Sequence, residues 1–314
     1  MTAAQRRASL VFLGTAGGPA VVPGRRGIAT AFVLGEDVYL IDAGLGATGQ
    51  YIDAGLRLDR LRSVLLTHMH GDHVCDLFNL FMFGTDAGHA RSPGIKHPVT
   101  VIGPGPAPDV RRGSGPYGAP PFPGLRGLIE HSYAGLAATL TAWAVTQADL
   151  HDLINVHEID GAATGPVTVV DDGQVRVRAT VVPHLPTSYA YRIDSDAGSV
   201  VFSGDTGPSE AVASLARGAD VLVHEVMDIE AMIAEGLPAE LADVFRRVHT
   251  EVSDVGRIAA QADVPVLALT HFVPAARRTD PQRWADRISK DYDGRVIVAE
   301  DLMRIAVCAG TGRP

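Results

Sequence analysis

A chain of 314 residues, 46% hydrophobic and 20% charged, has ample material for a buried core and no bias toward a disordered or fibrous state. Its formal net charge of −9 argues against a broad nucleic-acid footprint; the basic doublets Arg25-Arg26, Arg111-Arg112, Arg246-Arg247 and Arg277-Arg278 are scattered and read as solvated surface. Two cysteines, Cys75 and Cys308, make no disulfide framework, and no run of about twenty apolar residues could span a membrane, so a cytoplasmic protein is expected.

The first apolar run is too short for a signal-peptide core and reads as a strand over 9–13 ending at Gly14. Strands follow at 29–34 and 38–41, the second closed by Asp42-Ala43-Gly44. A helix over 47–55 precedes a buried strand over 63–66 that stops at Thr67. Beyond a His-rich turn lie a helix over 74–83, with Cys75 expected as a small packed residue, and a strand over 99–102. Residues 103–130 are rich in Gly and Pro, and a helical stretch follows around 131–153. Strands then dominate, at 155–159, 167–170, 175–182, 189–193 and 200–203. The last third alternates: helix 208–217, strand 221–224, helices near 228–235 and over 252–262, strand 266–270, helix 281–290, strand 295–298.

Two strand-rich stretches, each followed by helices, fit two sheets packed face to face with helices outside. The expected architecture is α/β, an αββα four-layer sandwich formed by residues 1–314 as one domain. The 103–160 region sits inside the chain and reads as an inserted loop or helical lid. Its Tyr117, Phe122, His131, Tyr133 and Trp143 either shape a pocket or pack locally.

The chemistry concentrates at Thr67-His68-Met69-His70-Gly71-Asp72-His73, directly after an apolar strand. One histidine on a turn would mean little. Four metal-competent side chains within six residues cannot all be satisfied by packing, and a metal is their natural partner. His68 and His70 alternate, so both imidazoles can reach one ion, while Asp72 and His73 lie beyond Gly71 and can swing to a second. His184, Asp205 and His271 each follow an apolar strand, where sheet edges can converge on one cleft.

These residues resemble the metallo-β-lactamase superfamily, and within it the branch holding ribonuclease Z and arylsulfatase-like hydrolases. The resemblance rests on the histidine turn, Pro183-His184-Leu185-Pro186-Thr187-Ser188, Phe202-Ser203-Gly204-Asp205-Thr206, His224-Glu225, His249-Thr250 and Leu269-Thr270-His271. It implies that His68, His70 and His184 hold one metal, that Asp72, His73 and His271 hold another, and that Asp205 bridges them. Two zinc ions are expected, with manganese or iron possible. Asp42 matches the family's first motif, either supporting the site or shaping a turn. Asp72 would orient a metal-activated water or take its proton. His249 and Glu225 match positions that contact the scissile group and protonate the leaving oxygen, a contribution of about 10²–10⁴-fold. His224 carries no assignment.

Ribonuclease Z chains also carry a long arm between the third metal histidine and the bridging aspartate, used to grip tRNA. Here only a hairpin separates His184 from Asp205, and Gly207-Pro208-Ser209-Glu210-Ala211 and Tyr292-Asp293-Gly294 look more like the arylsulfatase-like group. The activity expected is hydrolysis of a small-molecule ester (sulfate ester, phosphodiester or lactone), with nucleic acid not expected as a partner. The alternative is a ribonuclease Z-like phosphodiesterase acting on RNA. The family admits a homodimer, which nothing in the sequence requires.

Overall fold

The computed structural model describes residues 6–85, 93–106, 123–143, 149–184, 187–275 and 281–310. One sheet has the order β14-β1-β2-β3-β4-β5-β6, built from β1 (Ala8–Gly14), β2 (Ala29–Leu34), β3 (Asp37–Ile41), β4 (Leu61–Leu65), β5 (Val99–Pro104), β6 (Ile154–Ile159) and β14 (Arg304–Val307). The other has the order β13-β12-β11-β10-β9-β8-β7, from β7 (Val167–Asp171), β8 (Val175–Val182), β9 (Ser188–Ser195), β10 (Gly198–Phe202), β11 (Val221–Met227), β12 (Val266–Val273) and β13 (Arg295–Val298). The helices are α1 (Ala47–Asp53), α2 (Gly71–Val74), α3 (Leu77–Gly84), α4 (Gly124–Trp143), α5 (Leu150–Leu153), α6 (Glu210–Ala216), α7 (Ile229–Ala234), α8 (Ala239–Val248), α9 (Val252–Ala262) and α10 (Pro281–Ile288).

Side chains alternate across each strand, so a strand apolar on both faces needs cover on both. Leu10 and Phe12 of β1 enter the core between the sheets, with Tyr39, Tyr191 and Phe202. Val11 and Leu13 point the other way, into a core shared with α1, α3 and α4. The outer face of the second sheet buries Val201, Leu222 and Leu267 beneath α6, α9 and α10. The result is helix, sheet, sheet, helix. No described helix is long and apolar enough to cross a membrane.

Differences from the sequence reading have local causes. β6 runs parallel to β5 along its whole length, from Val99↔Ile154 to Pro104↔Ile159, so the end of the 103–160 region is the edge strand of a sheet. α4 begins at Gly124 and buries Leu125 and Ile129 on the outer core. Tyr133 packs on Phe78 and His151, with ring centroids 5.3 and 3.9 Å apart, and Trp143 packs on Phe83 at 5.7 Å. Tyr133 and Trp143 thus pack locally and also line a cavity of about 380 Å³ with Met82 and Leu140, so both readings hold for them; His131 is exposed, and Tyr117 and Phe122 lie outside the described residues.

β14 and α8 are among the elements the sequence pattern does not announce. β14 buries only Val307 and α8 only Ala242, so neither leaves a strong apolar pattern. Cys75 is exposed at the end of α2, not packed. Arg25 is buried, its guanidinium 4.7 Å from the Phe272 ring centroid, which corrects the surface reading for that residue, while Arg26 is exposed. Arg111-Arg112 and Arg277-Arg278 lie outside the described residues.

Candidate metal centre

Strand direction gathers the site. β10, β11 and β12 are mutually parallel, and β8, antiparallel to the intervening β9, shares their direction. Their C-terminal ends therefore lie along one edge, where the chain places His184, Asp205, Glu225 and His271. Parallel β3 and β4 deliver Asp42 and the histidine turn. Crevices beyond the carboxyl ends of strands are the usual ligand positions in α/β folds.

Local irregularities aim the side chains. In the β11–β12 ladder Glu225 pairs with Thr270 and Val226 with Phe272, so His271 is the extra residue of a bulge, with φ of 49°. Asp42 also has positive φ, at 58°. Left-handed backbone at non-glycine residues costs about 1–3 kcal/mol and gathers at functional sites. Gly204, with φ of 59°, has room for no side chain: a Cβ there would lie 2.7 Å from the Tyr189 carbonyl oxygen and 3.0 Å from Thr67.

The seven side chains singled out in the sequence converge. His70 Nδ1 is 2.9 Å from His68 Nε2 and 3.3 Å from His184 Nε2. Asp205 Oδ2 faces this trio, 3.8 Å from His68 Nε2 and 3.9 Å from His184 Nε2. Its Oδ1 faces the other way, 3.4 Å from His73 Nε2 and 3.3 Å from His271 Nε2. Asp72 Oδ2 closes that second group at 3.6 Å from His73 Nε2 and 3.5 Å from His271 Nε2.

Outer contacts fix the tautomers. His184 Nδ1 donates to the Val248 carbonyl at 2.7 Å, and His73 Nδ1 donates to Asp42 Oδ2 at 2.9 Å. Because carbonyl and carboxylate oxygens only accept, each Nδ1 carries a proton, and Nε2 is the nitrogen turned toward the centre. Asp42 is itself held by the Thr67 N–H at 2.8 Å and the Thr67 hydroxyl, which favours its supporting role over a turn role alone.

Buried polar atoms almost always find partners. Here His73 Nε2, Asp205 Oδ1 and both ring nitrogens of His271 are buried with none. Orphaned nitrogen and carboxylate donors within 4.8 Å of one another form a cradle whose chemistry fits metal cations.

The charge balance differs across the centre. Burial pushes His68, His70 and His184 down, His184 to about 4. Burial opposes protonation of His73 and His271 as well, but Asp205, with Asp42 at His73 and Asp72 at His271, outweighs it and raises both. Asp72 and Asp205 are held well below the usual carboxylate range despite burial, because His271 and His73 face them. Beside the centre, His249 Nδ1 lies 3.0 Å from Glu225 Oε2 and 3.8 Å from Asp205 Oδ2. Burial opposes the charged imidazole, yet the Glu225 carboxylate pushes it up to about 9.

Three contributors escaped the sequence reading. The Gly18 N–H donates to Asp72 Oδ2 at 2.8 Å, and a Cβ at Gly17 or Gly18 would meet His271 or Asp72 at 2.7 or 2.3 Å. Thr206 donates its N–H to Glu225 Oε1 at 2.6 Å. A Gly-Gly pair after the first strand was the available signal. Backbone donors such as Thr206 leave none.

The family profile described as Metallo-beta-lactamase superfamily matches residues 24–271. The Ribonuclease Z of Mycobacterium bovis (strain BCG / Pasteur 1173P2) is 30% identical over 302 residues, 95% of this chain and 98% of that one. That of Mycobacterium tuberculosis (strain ATCC 25618 / H37Rv) is 30% identical over 302 residues, 95% and 97% of the two chains. Human tRNase Z, short form, superposes with a TM-score of 0.63 at 20% identity, over 95% of this chain and 98% of that one. The metallo-β-lactamase fold protein YhfI of Bacillus subtilis gives 0.65 at 18% identity, over 96% and 99%. At those identities the structural likeness is one of fold.

The relatives overturn one expectation. A small-molecule ester substrate, with nucleic acid set aside as a partner, does not stand against relatives named Ribonuclease Z that match from end to end. The physical error lies in using the total charge. Charges separated by more than about 8 Å are screened at physiological salt, so −9 spread over 314 residues says little about the potential at one cleft. The profile covers well over half the chain and the relatives nearly all of it, so the chain belongs to the metallo-β-lactamase superfamily, in its ribonuclease Z branch, and is a metal-dependent hydrolase of that fold.

Proposed function

We propose that the protein is a two-zinc phosphodiesterase that cleaves RNA in the manner of ribonuclease Z. His68, His70 and His184 would hold one ion and Asp72, His73 and His271 the other, with Asp205 between them. Imidazole-rich donors with carboxylates suit zinc; manganese or iron can occupy such sites. The bound ions supply an activated water and neutralise charge building on the phosphate oxygens.

The chain's own residues do the rest. Asp72, 22% exposed, reaches the mouth beside the exposed His70, with its Oδ2 anchored by the Gly18 N–H. It is placed to orient the attacking water and accept its proton. As water's oxygen bonds to phosphorus, the bond from phosphorus to the leaving oxygen breaks, and that oxygen needs a proton. His249 supplies it. Its Nδ1 is engaged by Glu225, its raised affinity keeps it charged at neutral pH, and Nε2 is left to donate. We read residues 1–314 as one catalytic unit with 103–160 an insertion, of which α4 packs on the outer core and β6 forms a sheet edge, and place the protein in the cytoplasm.

The observation that carries this reading is the His249–Glu225 pair beside Asp205, in a chain that matches ribonucleases Z over 95% of its length. The zinc-loaded protein should cut a 3′-extended transfer RNA, lose that activity on chelation, and lose about 10²–10⁴-fold in rate in His249→Ala. An RNA left intact by fully loaded protein defeats the proposal.

A further inference from the structure

His249 is followed by a segment tied down at unusual density. The buried Thr250 donates its hydroxyl to the Thr206 carbonyl at 2.7 Å, and Thr206 is the residue whose N–H holds Glu225. The Thr250 carbonyl accepts from the Met227 N–H at 3.0 Å. Glu251 accepts from the Ile229 N–H through Oε2 at 2.8 Å and from Arg287 Nη2 through Oε1 at 2.6 Å. The same guanidinium reaches Asp228 Oδ1 through Nη1 at 2.8 Å. Asp228 caps α7 by accepting from the Ala231 N–H, pairs with Arg283, and donates its own N–H to the Val273 carbonyl, two residues beyond His271.

We propose that Arg287 is a positioning residue for His249, acting through Glu251 and Asp228. One guanidinium on α10 ties the exit of β11 that carries Glu225 to the segment that follows His249, and Asp228 in turn bonds the exit of β12 that carries His271. Glu251 and Asp228 are 9% and 3% exposed and both face Arg287. Without it the buried Glu251 would lose its guanidinium and stand beside Asp228, which keeps Arg283, and the two like charges would favour separation. Glu251 would withdraw, and His249, two residues away, would lose its register on Glu225. A misplacement of about 1 Å can cost about 10²-fold in rate. The forked geometry is specific to Arg; a Lys offers a point charge to one carboxylate at a time.

This inference rests on the acid role proposed for His249, so the test separates the two. Arg287→Met and Arg287→Lys are compared with the parent protein on an RNA substrate, whose leaving alkoxide needs a proton, and on bis(4-nitrophenyl) phosphate, whose leaving phenolate scarcely does. Arg287→Met should lower kcat on RNA by about 10–100-fold and on the nitrophenyl ester by less than about 3-fold, with KM and metal content unchanged. Arg287→Lys should recover part of the loss. Equal losses on both substrates, or a lowered Tm with kcat intact, overturn the inference. Should Arg287→Met fail to fold, Glu251→Gln breaks the same link with an isosteric side chain. The ring ¹⁵N signal of His249 needs no substrate: it should shift in Arg287→Met, and an unmoved signal overturns the positioning role even where RNA proves not to be the substrate. Failure of the parent protein to cleave either diester counts against the phosphodiesterase reading instead.

Discussion

The two halves of the metal centre share Asp205 and little else. On one side His70 Nδ1 lies within 3.3 Å of both the His68 and His184 imidazoles, with Asp205 Oδ2 the nearest carboxylate among the described residues at 3.8 Å or more. Burial keeps those imidazoles neutral. On the other side two imidazoles sit among Asp42, Asp72 and Asp205 and are drawn toward the charged form. A cation entering the first half would meet neutral imidazoles, whereas one entering the second would have to displace protons. The first is therefore built for uptake near neutral pH, and the second for competition between metal and proton.

The comparison breaks most sharply at the residue the halves have in common. Asp205→Ala removes the only carboxylate among the described residues that faces both, so both should lose their ions and phosphodiester hydrolysis should fall by at least about 10³-fold, the water no longer being activated. Metal content by mass spectrometry, read beside activity, checks this; a variant that keeps a full complement of ions would show that the halves are independent. A smaller and one-sided effect is expected at Gly18→Ala. The new Cβ would start 2.3 Å from Asp72 Oδ2, so the carboxylate must move. Ion affinity should then drop about 10–100-fold in the carboxylate-rich half alone, leaving the three-imidazole half loaded. Equal loss from both halves would count against the separation.

Legibility in the sequence followed the same line between side chains and backbone. The αββα layering could be read because Leu10 and Phe12 alternate with Val11 and Leu13, a period that assigns each residue to a face. The histidine turn stood out because its side chains have no common structural use. What stayed hidden depends on backbone atoms or on sums over the surface. Gly18 acts through an N–H, Thr206 through an N–H and a carbonyl, and Arg287 lies 38 residues from the histidine it is proposed to set, its neighbours brought near only by the ladder of β11 and β12. Net charge misled about the partner because it averages over faces that never meet the substrate. β14 and α8 escaped because each buries a single residue.

The smallest predicted effect is also the one that shows both halves in a single curve. In metal-free protein His68, His70 and His184, together with His224 at about 4, bind protons less readily than in the unfolded chain. Their stability contribution is present above the unfolded value of about 6.5 and is lost as pH falls through their depressed folded values. His73 and His271, with His249 at about 9, bind protons more readily than in the unfolded chain. Theirs is complete below about 6.5 and is lost as pH rises through the folded values. Stability of the chelated protein should thus peak near pH 6.5 and decline on either side, by at most about 1.4 kcal/mol per pH unit for each proton exchanged. The acid limb reports the three-imidazole half together with His224, opposed by Glu225, whose carboxyl burial pushes up. The alkaline limb reports the carboxylate-rich half. Metal loading displaces the protons of His73 and His271, so only the share due to His249 should survive on that limb, and His249→Phe should remove it. Urea denaturation of chelated and loaded protein between pH 5 and 9 would measure both slopes. An alkaline limb that ignores metal would mean that the protons held by the second half are not the ones a cation must replace.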